Sequence, residues 1–195
     1  ENTLVKLPKQ NVDTGMGLER TNCILQGKTS VYLTEVFQPI IKTIEELSKY
    51  TYGTDEEKDK SVRIIADHSR SSVFILGDQR GVTPDRVGAG YVLRRLIRRA
   101  VRHGMKLGIE ESFLAKIAET VVANFKIAYP ELEQNAEKIY KELTAEEEKF
   151  RKTLLKGEAE FQKLLPNLMK NPKKIISGKV AYNLYETYGF PLELT

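Results

Sequence analysis

The chain carries at residues 7–20 the stretch LPKQNVDTGMGLER, in which two glycines follow an extended, partly apolar segment. Gly15 and Gly17 have no side chain, so the backbone at this turn can approach a ligand closely. We expect a strand over residues 2–8 to run into the turn and a helix to leave it. The first turn of that helix would offer unpaired N–H groups to an anion, and Arg20 would add a planar donor fork.

The glycine spacing alone leaves two interpretations open. The dinucleotide-binding fingerprint requires a third glycine where this chain has Arg20, so the complete pattern is absent. A strand–turn–helix junction with a solvent-facing arginine explains these residues as well as an anion site does.

Composition narrows the class of protein. The 195 residues include 30% charged side chains and no long apolar run, so we expect a protein without a membrane span or secretory signal, located in the cytoplasm. The single cysteine, Cys23, excludes an internal disulfide and a zinc ribbon, and we expect it to be a small buried residue. Because the chain begins at Glu1 inside a predicted strand, we expect it to be a fragment.

The remaining pattern is mainly helical. Apolar residues recur at helical spacing, and glycines 77, 81, 88 and 90 mark a loop. Ser61 is predicted to cap a helix, Pro130 to begin a long helix and Pro166 to stop it. Residues 141–156 are dense in Glu and Lys at i, i+3 and i+4 spacing, which is typical of a solvated helix or a coiled-coil-like arm. The predicted helices cover residues 17–26, 34–50, 62–76, 90–107, 111–125, 130–165 and 177–187.

The helix over residues 90–107 has one apolar and one basic face. At 100° per residue its basic side chains fall within one 140° arc, and no acid occurs from Val87 to Ile109. Uncompensated like charges at i, i+4 repel each other, and RNA phosphates are the partner we favour. Pairing of some arginines with acids elsewhere, or a helical scaffold without RNA, stays open. The basic side chains are Arg94, Arg95, Arg98, Arg99, Arg102 and Lys106.

Other polar residues give no catalytic signature. We expect Asp67 and Arg70, beside His68, to make surface or interhelical hydrogen bonds. The chain has no HExxH, CxxC or Gly-x-Ser-x-Gly pattern, which excludes the usual zinc-protease, zinc-ribbon and serine-hydrolase sites.

Four blocks together resemble the alanyl-tRNA synthetase family, within the class II aminoacyl-tRNA synthetases. They follow one another in the family's order and cover nearly the whole chain. The blocks are VDTGMGLER at 12–20, IIADHSR at 64–70, GYVLRRLIRRAVRHG at 90–104 and LYETYGFPL at 184–192.

The resemblance implies roles for the first block. Arg20 is implied to be catalytic, holding the ATP γ-phosphate while the alanine carboxylate attacks the α-phosphorus. Gly15 and Gly17 are implied to line the pocket for alanine and ATP, and Asp13 to bind the ammonium group of alanine. ATP and Mg²⁺ are implied for the whole enzyme, and no zinc site is expected in this chain.

The later blocks are implied to bind the tRNA acceptor stem. Two departures from the family stand out: Arg86 replaces the asparagine of a Pro-Ser-Asn loop that helps to read a G·U pair, and Glu186 replaces an aspartate. We expect the carboxylate function to survive and the amide function to be altered. The implied tRNA-binding residues are Arg86, Arg94, Arg95, Arg98, Arg99, Arg102 and Glu186.

The sequence thus predicts a mainly α chain: a helical tRNA-recognition domain preceded by the last strand and helix of a class II antiparallel-sheet catalytic domain. The catalytic piece is expected at residues 1–27 and the tRNA-recognition domain at 28–195. The whole enzyme would be an alanine–tRNA ligase, whereas the isolated chain would be inactive. The alternative is a non-catalytic RNA-binding module of the same family.

Overall fold

The computed structural model describes residues 5–12, 14–170, 175–186 and 190. These residues form helices and no strand, which confirms the mainly α prediction. None of their helices is long and apolar enough to cross a membrane. The helices are α1 Leu18–Leu25, a 3₁₀ turn Val31–Leu33, α2 Gln38–Ser48, α3 Glu56–Gly77, α4 Gly88–Lys106, α5 Leu114–Phe125, α6 Pro130–Gln134, α7 Ala136–Lys170 and α8 Gly178–Glu186.

The chain divides into two compact units, Glu1–Pro39 and Ile40–Thr195. In the first, the side chain of Asn22 on α1 donates to Glu35 Oε1 over 2.9 Å, which ties the helix to the segment after the 3₁₀ turn. Cys23 is buried and its thiol donates to the Lys28 carbonyl, in agreement with a structural role. The predicted strand over residues 2–8 is not confirmed: residues 5–8 have no strand, and residues 1–4 lie outside the described range.

The second unit is a helical assembly built around α3 and α4, which pack along each other, with α5 and α7 packed against them. The predicted apolar face of α4 is buried at Leu93, Ile97, Ala100 and Val101 and half-buried at Leu96, because its side chains recur about once per helical turn. The hydroxyls of Thr43 on α2 and Thr120 on α5 lie 2.9 Å apart and join those helices. The largest fully buried side chains are Phe113, Phe150, Ile40, Ile41, Ile44, Ile65, Leu76, Leu93, Ile97, Leu114, Ile117 and Leu132.

The prediction that Ser61 caps α3 is wrong. The helix begins at Glu56, and the Asp55 carboxylate accepts from the Lys58 amide over 2.9 Å as its N-cap. Ser61 is buried inside the helix, where its hydroxyl lies 3.0 Å from His103 Nδ1 on α4. Ser61 therefore joins α3 to α4 and does not cap α3.

Burial makes His103 a difficult group to protonate. Desolvation is the main cause, and the positive charges of Lys106, Arg102 and Arg99 add to it, so the pKa of His103 falls from 6.5 to about 4. Because the pKa is lower in the folded chain, the unfolded chain binds a proton at His103 between pH 6.5 and about 4, whereas the folded chain does not. The resulting stability is present above pH 6.5 and is lost as the pH falls through about 4.

We expect a His103→Gln variant, which keeps a donor for Ser61 but does not titrate, to lose this pH dependence. Between pH 6.5 and 4, the free energy of unfolding of the unmodified chain should fall by about 1–3 kcal/mol more than that of the variant. Urea denaturation at a series of pH values measures the difference. Parallel pH profiles would contradict a buried, neutral His103.

The long helix also departs from its prediction. Pro130 is the first residue of α6, as expected, but the helix breaks at Asn135, whose side-chain amide donates to the Gly77 carbonyl over 3.0 Å. Pro166 does not stop α7 but lies inside it at an exposed position, where water can replace the missing backbone hydrogen bond. Residues 141–156 are not simply solvated, because α7 buries a stripe facing α4 and α5. The stripe comprises Leu143, Glu146, Glu147, Phe150 and Leu154.

Candidate nucleic-acid interface and nucleotide turn

The glycine turn leads directly into α1. Gly17 is its N-cap, in an extended conformation, and no side chain caps the helix. Arg20 is exposed, and its Cδ lies 3.7 Å from the position that a Cβ on Gly17 would take. A Cβ on Gly15 would meet nothing within 4 Å. Unsatisfied N–H groups and an exposed guanidinium make this turn suitable for an anion.

The basic face of α4 does not form one solvent-facing surface. Arg94 and Arg98 are half-buried against α7, whereas Arg95 and Arg99 are exposed one turn apart. Rotation around the helix separates the two pairs, because the first lies at 0° and 40° and the second at 100° and 140°. We call Arg95, Arg99 and the exposed Lys106 the exposed ridge.

The inward pair shares one acceptor. Glu146 Oε1 on α7 accepts from Arg98 Nε over 2.6 Å and from Arg94 Nε over 3.3 Å. The Arg98 guanidinium also lies over the Phe150 ring, 4.9 Å from its centroid. Burial lowers the pKa of Arg98, and the bond to Glu146 opposes that shift.

Aromatic side chains border the exposed ridge. The Arg95 guanidinium lies 5.8 Å from the centroid of the exposed Tyr91 ring. Tyr185 on α8 is also exposed, and its hydrogen bond with Tyr91 raises its pKa above the usual value. Exposed aromatic rings beside arginines are a common feature of surfaces that bind nucleic acids.

The loop before α4 carries Arg86 on its exposed side. The Asp85 amide donates to the Gly90 carbonyl over 3.1 Å, which folds the loop back on the first turn of α4. A Cβ on Gly90 would lie 2.6 Å from the Thr83 carbonyl oxygen, closer than backbone atoms allow. Glycine at position 90 therefore permits this loop conformation.

Comparison with known proteins decides the family. The sequence profile described as tRNA synthetases class II (A) matches residues 1–195. The chain belongs to this family. The resemblance drawn from its four blocks is confirmed.

Curated relatives of this synthetase chain are named alanine–tRNA ligase. The protein of Treponema denticola is 62% identical over 189 residues, covering 97% of this chain and 32% of the relative. That of Treponema pallidum is 52% identical, covering 97% of this chain and 31% of the relative. That of Caldicellulosiruptor saccharolyticus is 46% identical, covering 97% of this chain and 21% of the relative. The chain thus spans about a third or less of the length of these relatives.

The predicted site residues of the synthetase chain fall into two groups. Gly15, Gly17 and Arg20 lie in the first unit, and the arginines of α4 lie in the second. Asp13 lies outside the described residues, as does the side chain of Glu186, whose backbone ends α8. Within the described ranges, no group of three or more His, Cys, Asp and Glu is placed to hold a metal ion.

Glu146 is the site residue that sequence reasoning missed. Its neighbours alternate Glu and Lys, which predicted a solvated helix. Apolar residues at spacings of four, seven and four (Ile139, Leu143, Phe150 and Leu154) were the available signal for a buried stripe that includes it.

Proposed function

We propose that the whole protein is an alanine–tRNA ligase, which activates alanine with ATP and transfers it to the 3′ end of its tRNA. This chain would supply the Arg20 turn and a surface for the tRNA acceptor stem. The names of the relatives support the reaction, and the exposed ridge of α4 is the observation that carries the RNA-binding role.

The turn would act in the activation step. An alanine carboxylate oxygen attacks the α-phosphorus of ATP, alanyl-adenylate forms and pyrophosphate leaves. Arg20 would hold the γ-phosphate and stabilise negative charge as the bond to pyrophosphate breaks. Gly15 and Gly17 would leave room for the nucleotide, and Asp13 would bind the ammonium group. Mg²⁺ would supply positive charge at the phosphates, and we assign none of the described residues to it.

The acceptor stem would meet the exposed ridge and Arg86. In the transfer step a terminal hydroxyl of the tRNA attacks the alanyl carbonyl, and AMP leaves. Arginine forks suit phosphate oxygens, and Tyr91 beside Arg95 offers a ring face to the RNA. Glu186 would read base edges, because a carboxylate accepts hydrogen bonds from exocyclic amines.

Arg94, Arg98 and Arg102 were also assigned to tRNA by the family resemblance. Arg94 and Arg98 bind Glu146, and Arg102 is half-buried and lines the same pocket as Leu154. We therefore propose that Arg95 and Arg99 make the main contacts with phosphates. Arg94, Arg98 and Arg102 would lie behind the exposed ridge and support it.

Neutralising the ridge tests the RNA-binding role. We expect Arg95→Gln/Arg99→Gln to weaken binding to every tRNA alike and to reduce the slope of log K against log salt by about one unit per lost phosphate contact. Fluorescence anisotropy titrations of the chain with labelled tRNA at several salt concentrations measure the slope.

The matched control removes two exposed cations with the same spacing from α7. Lys152→Gln/Lys156→Gln should leave the slope nearly unchanged. If both double variants reduced the slope equally, binding would depend on overall charge and not on α4. If the unmodified chain bound no tRNA, the helical scaffold without RNA would be the better interpretation.

A further inference from the structure

Two arginines on α4 share one carboxylate from a distant part of the chain, which compensates one of their two positive charges. Arg94 and Arg98 both donate through Nε to the same oxygen of Glu146. The Glu146 side chain is only 7% exposed, against 22% for Arg94 and 16% for Arg98. Arg94, Arg98 and Glu146 therefore form a largely buried ionic cluster between α4 and α7.

The geometry restricts both guanidinium groups. The bond to Arg98 is short, at 2.6 Å, and its guanidinium is also held over Phe150. A partly buried, charge-assisted pair of this kind is much less screened by salt than a surface pair. An RNA phosphate could take the Nε–H of Arg98 only by displacing Glu146, and could draw the guanidinium outward only by breaking its contact with Phe150.

We propose that Glu146 is a positioning residue that limits the charge-driven affinity of α4 for RNA. It acts as an internal counter-ion that holds Arg94 and Arg98 at α7 and compensates one of their two charges, so that phosphates meet mainly the exposed ridge. This inference rests on the proposed RNA-binding function and adds to it the residue that sets the strength of phosphate binding.

The physical reason is the character of charge-driven binding. Every arginine that is free to meet phosphates adds affinity for any RNA, because released counterions carry no sequence information. A helix presenting all of its arginines would therefore hold every RNA more tightly, including the large excess of unrelated RNA. Holding two of them on Glu146 lowers this sequence-independent binding.

Glu146→Gln tests the inference, since glutamine keeps the size of the side chain and removes its charge. Binding of the chain to a labelled acceptor-stem duplex and to an RNA duplex of unrelated sequence is measured by anisotropy over a salt series. We expect the slope for the unrelated duplex to become steeper by about one unit per released arginine, and its affinity to rise on the order of tenfold near 0.1 M salt. The affinity for the acceptor-stem duplex should rise by a similar factor, because the added attraction does not depend on sequence.

Glu146→Asp provides the conservative rescue, because it retains the charge and should keep a slope near that of the unmodified chain. Loss of packing alone would weaken binding in both variants and would not steepen the slope. An unchanged or shallower slope in a folded Glu146→Gln chain, checked by circular dichroism, would overturn the proposal.

The arginines provide a second test that does not depend on the folding of the Glu146 variants. Arg94→Gln and Arg98→Gln, made singly, each leave one arginine on Glu146 and an amide that can still donate. We expect both to keep the salt slope of the unmodified chain, in contrast to the Arg95/Arg99 variant. A slope reduced by about one unit in each would show that these arginines contact phosphate, which overturns the inference but not the proposed function. Failure of the unmodified chain to bind either duplex would overturn both.

Discussion

Replacing Arg20 by alanine in the whole protein is expected to lower the rate of alanine-dependent ATP–pyrophosphate exchange by about 100-fold or more. This is the scale on which enzymes lose rate when one preorganised donor to the transition state is removed. Arg20 is exposed in the first turn of α1, so its loss should act on the reaction and not on the fold. Steady-state exchange kinetics measure the effect, and melting temperature checks the fold.

Two comparisons make the Arg20 result specific. Lys28→Ala removes another exposed cation from the same unit and should leave exchange nearly unchanged. Arg20→Lys keeps the charge but loses the planar fork, so it should retain an intermediate rate. A rate within a few-fold of normal for Arg20→Ala would remove this residue from the proposed mechanism.

The second large effect is on stability and concerns Glu147. Its carboxylate, fully buried on α7, accepts from the amides of Phe113 and Leu114 at the start of α5 over 3.0–3.3 Å. Arg151 lies 3.1 Å from the same carboxylate and donates to the carbonyls of Glu110 and Glu111 over 2.7 Å. One ion pair therefore fixes the loop between α4 and α5.

We expect Glu147→Ala to lower the free energy of unfolding by about 3–5 kcal/mol, because Arg151 and two amides lose their acceptor in a buried place. Thermal unfolding followed by circular dichroism should show the loss as a lower melting temperature. Glu148→Ala, a substitution at the exposed neighbour, should change stability by no more than about 0.5 kcal/mol. Similar losses in the two variants would mean that the observed bonds do not hold the loop.

The apolar face of α4 shows what local pattern is able to predict. Leu93, Ile97, Ala100 and Val101 recur at helical spacing, and all four are buried as expected. Side chains close together in sequence are enough to predict this helix, its buried face and the glycine loop before it. The same holds for the turn at Gly17 and for the four blocks that placed the chain in its family.

The predictions that proved wrong concern residues whose partners lie far away in sequence. Ser61 has the chemistry of a helix cap but bonds to His103, 42 residues away. Residues 141–156 have the composition of a solvated helix, yet α7 buries Glu147 to bind an amide 34 residues earlier. Composition cannot predict such partners, because the cost of burying a charge depends on what lies opposite it in the fold.

By itself, the sequence determined that the chain is helical, that it belongs to a synthetase family and that α4 carries a basic face. Only the tertiary structure decided how that face is used: Arg94 and Arg98 meet Glu146, about 50 residues away, while Arg95 and Arg99 face outward. The physical reason is that helical periodicity separates polar from apolar directions through repeating local geometry. It carries no information about which neighbouring helix packs at the edge of the polar face, and that packing sets which charges are neutralised and which remain available to RNA.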